Sequence, residues 1–355
     1  MIILSCNAKQ DFIIFESKLL EVIEIDSITP RNINRIFYAE EIESIYFHNQ
    51  YNHSIYFYNL VSKDWLLTPI PQSYLKNRNL KIGDTYFHNF DSIFVQDLSS
   101  HSVVILNSKS EIVNTFSTFN PLNDDHIDGV KGNTQMVLDL PYLYIQIRPT
   151  PNAKYRTRYL MQQINIETGK REYLLEDSNQ TNYSSKTYER YTYHNKNSKE
   201  FFITQPFSDV IIKYNYESSI VNYIDALPPL KNRTAFNNDF AYDEHYLLSN
   251  PWYGSIVYYE EDDLIFRSIY QGMDIPKSAI IKNLNYRSLN NDTILFNTIV
   301  LKNDEVVGTI RDFNLYNSSF VHRGFLYTLD FDYKQGDEDI IVFKKIDLSR
   351  LSNEN

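Results

Sequence analysis

The chain lacks most of the residues and patterns on which recognisable functions depend. Cys6 is the single cysteine among 355 residues, so no internal disulfide can form. No serine-nucleophile elbow, glycine-rich phosphate loop or HExxH helix occurs, and no Cys/His spacing suits zinc. No apolar run is long enough to span a membrane. The sequence therefore predicts no cofactor and no metal site.

Basic residues and glycine are also scarce. Lys and Arg number 34 against 45 Asp and Glu, which gives a formal net charge of −11 and a pI near 5.2. This charge would repel a polyanion, and no basic run supplies a local patch, so we expect no nucleic-acid partner. With only 9 Gly, most tight turns must take their positive-φ residues from Asn, Asp and Ser.

Short apolar runs are what the chain does contain. Within residues 199–223, KEFFITQPFSDVIIKYNYESSIVNY, three runs rich in Ile, Val, Phe and Tyr are separated by polar turns. Runs of this kind are typical of β-strands joined by tight turns. No stretch keeps an apolar stripe at helical spacing for long enough to predict a helix of ordinary length.

The same unit recurs along the chain. Units begin near residues 44, 92, 142, 200, 245 and 293, in steps of 45 to 58 residues. A period of about 40 to 50 residues with about four strands each is typical of a β-propeller. We therefore predict an all-β, six-bladed β-propeller over residues 11–349, between an N-terminal segment 1–10 and a C-terminal tail 350–355. If the N-terminal runs form a blade of their own, the count is seven.

Two strand-like runs precede the first unit, in DFIIFESKLLEVIEI at residues 11–25. Closed propellers often complete their last sheet with an N-terminal strand, because this removes two exposed edges. We predict that residues 12–15 or 20–25 pair with the strand at residues 339–346.

Two segments with little aliphatic content predict loops. Residues 177–198, DSNQTNYSSKTYERYTYHNKNS, have a composition that cannot bury a core. Residues 149–158, PTPNAKYRTR, carry several cations, with Arg148 adjacent. Loops on a rigid scaffold often carry binding residues, so Arg148, Arg156 and Arg158 are candidate ligand-binding residues.

The histidines and acidic clusters show no metal signature. His48 and His53 flank a hairpin turn and can face one another across it, but turn histidines are usually solvated. The stretch DFDYKQGDED at residues 330–339 resembles a calcium loop, yet its fifth position is Lys334 and Gly336 is one place late. We interpret that stretch as a charged hairpin.

The strongest binding candidate is an aromatic segment. In NPWYG, residues 250–254, we predict a turn between two strands that places the rings of Trp252 and Tyr253 where they can stack on a sugar or anchor a partner. His245, a few residues earlier, is a further candidate ligand-binding residue. The alternative is that Trp252 packs beneath the neighbouring blade.

The first six residues, MIILSC, bear on the location of the protein. An apolar run that ends in a small residue and Cys6 resembles the end of a bacterial lipoprotein signal, whose cysteine carries the lipid. The charged start and longer apolar region of an export signal are missing, so we expect further residues upstream of Met1. A first strand of the fold is the alternative interpretation. Membrane association is expected only through a lipid on Cys6.

These features together resemble a known group of proteins. The segments FITQPFSD, IVYY, EVVGTI and HRGFLYTL, within six repeating units, look like those of uncharacterised six-bladed propeller lipoproteins of Gram-negative bacteria. That family is a domain of unknown function related in shape to TolB-like propellers. The resemblance covers nearly all of the chain. It implies a cell-envelope location and supplies no active residues.

Two functions of different class follow from the sequence. The preferred one is a non-enzymatic binding or scaffold propeller at the cell envelope that recognises a protein, peptide or glycan. The alternative is a propeller hydrolase or lyase with its active site in the central channel. A channel with three or more convergent Asp, Glu, His or Asn side chains favours the enzyme, and an apolar or aromatic face with a plain channel favours binding.

Overall fold

Six β-sheets, arranged in a ring, make up the fold. The computed structural model describes residues 13–16, 19–24, 36–49, 52–75, 82–97, 99–100, 102–117, 136–146, 159–176, 191–206, 208–227, 251–270, 296–316, 318–330 and 340–352. In these ranges five sheets have four strands and one has five. Each sheet is a blade, numbered 1 to 6 from the N-terminal side.

Blades 1 to 3 are each built from four consecutive strands. Blade 1 contains β3 (Phe37–Ala39), β4 (Ser44–Asn49), β5 (Ser54–Asn59) and β6 (Trp65–Pro69), followed by the short helix α1 (Gln72–Leu75). Blade 2 contains β7 (Ile82–Asn89), β8 (Ser92–Asp97), β9 (Ser102–Leu106) and β10 (Ile112–Ser117). Blade 3 contains β11 (Val137–Asp139), β12 (Tyr142–Gln146), β13 (Tyr159–Asn165) and β14 (Arg171–Glu176).

Blades 4 to 6 continue the series, and the last two also take strands from the N-terminus. Blade 4 contains β15 (Tyr191–Asn195), β16 (Glu200–Thr204), β17 (Val210–Asn215) and β18 (Ile220–Asp225). Blade 5 contains β19 (Trp252–Tyr259), β20 (Leu264–Tyr270), β21 (Phe296–Lys302), β22 (Glu305–Arg311) and β1 (Ile13–Glu16). Blade 6 contains β23 (Phe320–His322), β24 (Phe325–Leu329), β25 (Ile340–Asp347) and β2 (Leu19–Glu24), and helix α2 (Ser349–Ser352) follows β25.

Apolar side chains between neighbouring blades hold the ring together. Six buried clusters each join two successive blades, and one of them joins blade 6 to blade 1. The ring of Tyr38 in blade 1, for example, stacks on Phe320 in blade 6 with centroids 4.6 Å apart. A closed ring of six packed sheets confirms the six-bladed prediction, and the seven-bladed alternative is wrong.

The N-terminal strand β2 closes the ring. It pairs antiparallel with β25, with Leu19 opposite Lys345 and Glu24 opposite Ile340, which confirms the predicted pairing. Strand β1 instead adds to blade 5 in parallel with β22, a contact that the sequence did not predict. Both strands cover sheet edges that would otherwise lie open to other chains.

Glu21 on the closing strand is bonded to two blades. Its carboxylate accepts hydrogen bonds from Lys345 of blade 6 at 2.8 Å and from Lys63 of blade 1 at 2.9 Å. Burial alone would raise the pKa of Glu21, but the bonds from the two lysines outweigh it and leave the pKa below its ordinary value. The closure therefore combines apolar packing with a partly buried ionic contact.

The boundaries of the predicted units differ from those of the blades. The units predicted near residues 44, 92, 142 and 200 begin at the second strand of each blade, because the first strands, of three to eight residues, were missed. Strand β15 lies inside residues 177–198, so the prediction of a loop across that whole segment is wrong. The last predicted unit also joined β21 and β22 to blade 6, whereas both pair within blade 5.

The turn between the third and fourth strands of four blades is held by an asparagine. The side-chain oxygens of Asn59, Asn107, Asn165 and Asn215 each accept hydrogen bonds from backbone N–H groups two to four residues further on. An asparagine side chain that bonds forward in this way stabilises a tight turn without glycine. Positive φ angles fall on Asn, Asp and Ser at only half of the non-glycine positions described, including Asp263 and Ser219.

The strand ends define two faces of the ring. The described turns from each first strand to the second, and from each third strand to the fourth, have two to five residues. The longest connections, residues 226–251 and 271–295, join strand ends on the opposite side. We call the side with the short turns the turn face and the other side the loop face. No helix within the described ranges is long and apolar enough to cross a membrane.

Candidate functional site: the central channel

A cavity runs along the axis of the ring. It encloses about 850 Å³, and residues from the first strands of all six blades, or next to them, line its wall. First strands form the innermost layer of a propeller, so their side chains are the ones that can face the axis. The volume lies within the usual range for ligand-binding pockets.

Tyrosine is the commonest residue in the wall of the channel. The tyrosines that line it are Tyr38, Tyr46, Tyr86, Tyr191, Tyr193, Tyr258, Tyr259 and Tyr316. A tyrosine offers an apolar ring together with one hydroxyl, which suits a ligand with mixed polarity. The hydroxyl of Tyr38 bonds to Nδ1 of His322 at 2.7 Å, and this contact links blades 1 and 6 inside the channel.

An ion pair crosses the channel at the turn face. Nζ of Lys196, just after β15, lies 2.9 Å from Oε1 of Glu41, just after β3. These residues belong to blades 4 and 1, which stand opposite one another in a ring of six. Both side chains are about half exposed, and a pair of this kind contributes only about 0–1 kcal/mol. We call the turn-face opening of the channel the mouth. The Lys196–Glu41 pair crosses the mouth but stabilises it only weakly.

Three other carboxylates of the turn face have protein partners. Glu260 accepts a hydrogen bond from the side-chain amide of Asn197 at 2.6 Å, and Glu261 accepts one from the hydroxyl of Tyr259. Glu43 is bonded to Arg323 of blade 6. These contacts order the turns around the mouth, because each fixes a flexible acidic side chain.

Glu40 is the remaining carboxylate at the mouth. No hydrogen bond or ion pair to its side chain is found among the described residues. Loss of hydration raises the pKa of Glu40, and the nearby carboxylates of Glu41 and Glu260 raise it further, although Lys196 opposes them. Burial raises the pKa of neighbouring Tyr193, so its hydroxyl stays protonated. The mouth thus presents one exposed carboxylate that lies near other carboxylates and has no fixed partner among the described residues.

A second polar chain lies between blades 3 and 4. Nε2 of His194 lies 3.2 Å from the hydroxyl of Tyr216, which donates to Asp139 at 3.0 Å, and Lys199 also donates to Asp139. Burial lowers the pKa of His194 to about 4, so its imidazole is neutral near pH 7. His194 also lines the channel and adds a polar but uncharged group to its wall.

The structure places Trp252 and Tyr253 differently from the predicted turn. They are the first two residues of β19, so the prediction of a turn at NPWYG is wrong. Tyr253 has no exposed surface, and the guanidinium of Arg267 stacks on its ring at 3.6 Å. The glycine of the motif, Gly254, lies where a Cβ would collide with the Ser268 side chain, so it serves strand packing.

The expectation of an exposed Tyr253 is therefore wrong, whereas ligand binding by Trp252 stays a prediction. Trp252 is only partly buried, and its ring packs near Tyr270 with centroids 5.6 Å apart. The other candidate residues lie outside the described residues, and their roles also stay predictions. They are His245, Arg148, Arg156, Arg158 and the lipidation candidate Cys6. Most of the predicted charged hairpin, residues 331–339, lies outside them too.

The sequence reading missed the charged residues of the mouth. Glu40, Lys196 and Glu260 each follow directly after a first strand. Strand β3 is short and β15 is polar, so the apolar-run pattern did not predict them, whereas β19 contains a clear apolar run. The positions of these residues in the sequence could have indicated them. Glu40 and Lys196 each lie four residues before a predicted unit begins, and Glu260 lies between two apolar runs of one unit.

The channel is polar, and its chemistry is that of carboxylates and tyrosines. In the described part of the chain, no group of three or more His, Cys, Asp or Glu is arranged to hold a metal ion. Glu40, Glu41, Glu260 and His194 nevertheless belong to the same wall. The channel is therefore polar and is not the plain channel expected of a pure scaffold.

The fold and site define a six-bladed β-propeller with a polar, tyrosine-lined central channel. No protein-family model and no curated protein sequence matches the chain. Among solved structures it is similar to a member of the DUF4221 family from Bacteroides vulgatus, with a TM-score of 0.68 and 15% identity over 95% of this chain and 98% of that one. This likeness agrees with the predicted resemblance to an uncharacterised propeller family, at the level of the fold.

Two further structures are more distant. A candidate exported protein from Bacteroides fragilis has a TM-score of 0.56 and 11% identity, over 94% of this chain and 99% of that one. Virginiamycin B lyase from Staphylococcus aureus has a TM-score of 0.46 and 10% identity, over 92% and 99%. The first supports the fold alone, and the second is too distant to bear on activity.

Proposed function

We propose that the protein is a binding propeller of the cell envelope that accepts a basic side chain of a peptide or protein partner into the turn-face mouth of its channel. The observation that carries this proposal is Glu40, a carboxylate with a raised pKa beside Glu41 and Glu260. A lysine side chain placed there would restore the charge balance that the described residues leave incomplete.

The neighbouring groups favour the same kind of ligand. Tyr193 and Tyr38 line the channel close to Glu40, and a cation over a tyrosine ring gains further attraction. Because the exposed Lys196–Glu41 pair is weak, an incoming ammonium group can displace Lys196 at low cost. The overall charge of −11 would also speed the approach of a basic partner.

Binding of a labelled pentapeptide with one central lysine, measured by fluorescence anisotropy, tests the proposal. We expect saturable binding that is lost when glutamine replaces the lysine. Glu40→Gln should weaken binding about tenfold, which corresponds to about 1.4 kcal/mol. Glu305→Gln, at an exposed position in β22, removes the same charge away from the channel and should leave affinity unchanged. Equal weakening by both variants would reduce the effect to net charge and overturn the proposal.

A hydrolase or lyase is the second candidate function, and Glu40 is also the observation that favours it. A carboxyl group with a raised pKa beside other carboxylates is a common general acid. Against this, Glu41, Glu260 and Glu261 already have hydrogen-bond partners. Mass spectrometry of peptides and oligosaccharides incubated with the protein separates the two functions. Binding predicts intact ligands, whereas product formation that Glu40→Gln abolishes and Glu305→Gln retains would establish the enzyme.

The envelope location rests on separate support. The residues that end at Cys6 resemble a lipoprotein signal end, and one similar structure is described as a candidate exported protein. Metabolic labelling with a lipid precursor tests this in cells that express the gene with its upstream codons. We expect label on the wild-type protein and none on Cys6→Ala. Absence of label from both would remove the lipid anchor from the proposal without affecting the channel.

A further inference from the structure

Three polar side chains of blade 1 lie on one face of its sheet. His48 on β4 and Thr68 on β6 are both paired with Ile55 on β5, from opposite sides. His53 lies two residues before Ile55, and its carbonyl accepts a hydrogen bond from the N–H of Ile70 at 2.8 Å. Side chains of directly paired residues point to the same face, so His48 and Thr68 share a face, and the ring of His53, in the turn before β5, lies beside the ring of His48. The three side chains are therefore neighbours on one face.

Each of the three has a buried polar atom with no hydrogen-bond partner among the described residues. These atoms are Nε2 of His48, Nδ1 of His53 and Oγ1 of Thr68. Thr68 has no exposed surface at all. A buried polar group without a hydrogen-bond partner is unfavourable, so three of them on one face indicate a shared partner. Both histidines are partly exposed as residues, but one ring nitrogen of each is buried, which a fully solvated turn histidine would not show.

The two imidazole rings have a spacing that suits a shared metal ion. Their centroids are 5.9 Å apart and their planes are inclined by 26°. A metal bound at about 2.0–2.1 Å from a ring nitrogen lies about 3.2 Å from the ring centroid, so two rings on one tetrahedral ion stand about 5–6 Å apart.

We propose that His48 and His53 bind a divalent transition-metal ion, such as Zn²⁺, between their imidazoles. Water completes the coordination, and the hydroxyl of Thr68 bonds to one of these waters. Both histidines are partly exposed as residues, although the ring nitrogens themselves are buried. This site lies in the second-to-third-strand hairpin on the loop face and is independent of the function proposed for the channel.

The local backbone supports a site that is formed before the metal binds. Asn52 accepts a hydrogen bond from the N–H of Ser54 at 3.1 Å and donates one to the hydroxyl of Tyr56 at 2.6 Å. His53 has a positive φ of 51°, which the hairpin imposes on it. Asparagine tolerates this conformation well, so His53→Asn removes the imidazole and keeps the turn.

Calorimetric titration of the chelator-treated protein with Zn²⁺ tests the proposal. We expect one strong site per chain in the wild type and its loss in His48→Gln and in His53→Asn. Thr68→Val should weaken binding about tenfold, as expected for a group that acts through a bound water. His88→Gln is the matched control and should bind like the wild type, since His88 also has a buried, unpartnered ring nitrogen but lies outside the pair.

Thermal unfolding gives a second readout that does not depend on stoichiometry. Zn²⁺ should raise the Tm of the wild type and of His88→Gln, but not that of His53→Asn. If the wild type binds no Zn²⁺, or if His48→Gln and His53→Asn bind it unchanged, the proposal is overturned. The three polar atoms then share a buried water instead.

Discussion

Arg267 is the largest side chain that the described structure buries completely. It stacks on Tyr253 of the same blade and donates to the backbone carbonyls of Ser208 at 2.6 Å and Asp209 at 3.2 Å in blade 4. A planar guanidinium can stack and donate in several directions at once, whereas a lysine ammonium cannot. This one residue therefore ties the start of β19 to the neighbouring blade.

We expect Arg267→Lys to lower the free energy of unfolding by about 3 kcal/mol, because it leaves buried carbonyls unsatisfied and a buried charge poorly solvated. Urea unfolding measures this. Arg311→Lys, at an exposed position at the end of β22, makes the same chemical change and should shift stability by less than about 0.5 kcal/mol. A similar loss of unfolding free energy in the two variants would contradict a structural role for Arg267.

The raised pKa of Glu40 predicts a pH dependence of lysine-peptide binding. Protonation of Glu40 removes the negative charge, so affinity should fall as the pH is lowered through a pKa above the ordinary value of 4.5. His194 stays neutral through most of this range, because its pKa is about 4. In anisotropy titrations between pH 7.5 and 4.5, the affinity for the peptide should fall at a lower pH in Glu40→Gln than in the wild type. Coincident profiles would contradict the role of Glu40.

At the residue scale, the sequence identified aromatic residues but not their surroundings. Tyr253 was predicted to be exposed because it follows Asn and Pro and precedes Gly, a composition typical of turns. Its burial depends on Arg267 and Asp209, which come from other parts of the chain. The facing of His48 and His53 was predictable from hairpin spacing, but the burial of one ring nitrogen of each was not.

At the element scale, β2 illustrates how one strand completes the fold. Ile23 is 1% exposed and packs in the cluster between blades 6 and 1, whereas the next residue along the strand, Val22, is 48% exposed. Alternate residues of a strand face opposite sides, so the two differ in burial but share the same hydrogen-bonded strand.

We expect Ile23→Ala to cost about 2–5 kcal/mol of stability, because it leaves a cavity in the closing cluster. Val22→Ala should cost less than about 1 kcal/mol, since it removes little buried surface. Urea denaturation of both variants measures the difference. Equal and small losses would mean that β2 does not close the ring in solution.

The strands that the sequence revealed and those that it hid differ in composition. The second and third strands, such as β5 and β9, are buried on both sides and read as clear apolar runs. The first strands face the channel, so β15 reads YTYHN and carries polar residues that resemble a loop. Polar residues that face the channel can bind a ligand, but they also interrupt the apolar pattern from which strands are predicted.

At the scale of the whole molecule, the count of blades followed from the period of the apolar runs. The prediction of closure followed from the general need to cover sheet edges, and β2 fulfils it. The mouth of the channel could not be predicted in this way. Lys196 and Glu41 meet across the axis although 155 residues separate them, and only the completed ring brings them together.

The account depends most on the claim that the turn-face mouth of the channel receives a cationic side chain. An experimental structure of the protein with the lysine pentapeptide tests this most directly. We predict density for the lysine side chain between Glu40 and Tyr193, with Lys196 moved away from Glu41. Peptide density confined to the loop face or the outer strands, with the Lys196–Glu41 pair intact, would contradict it.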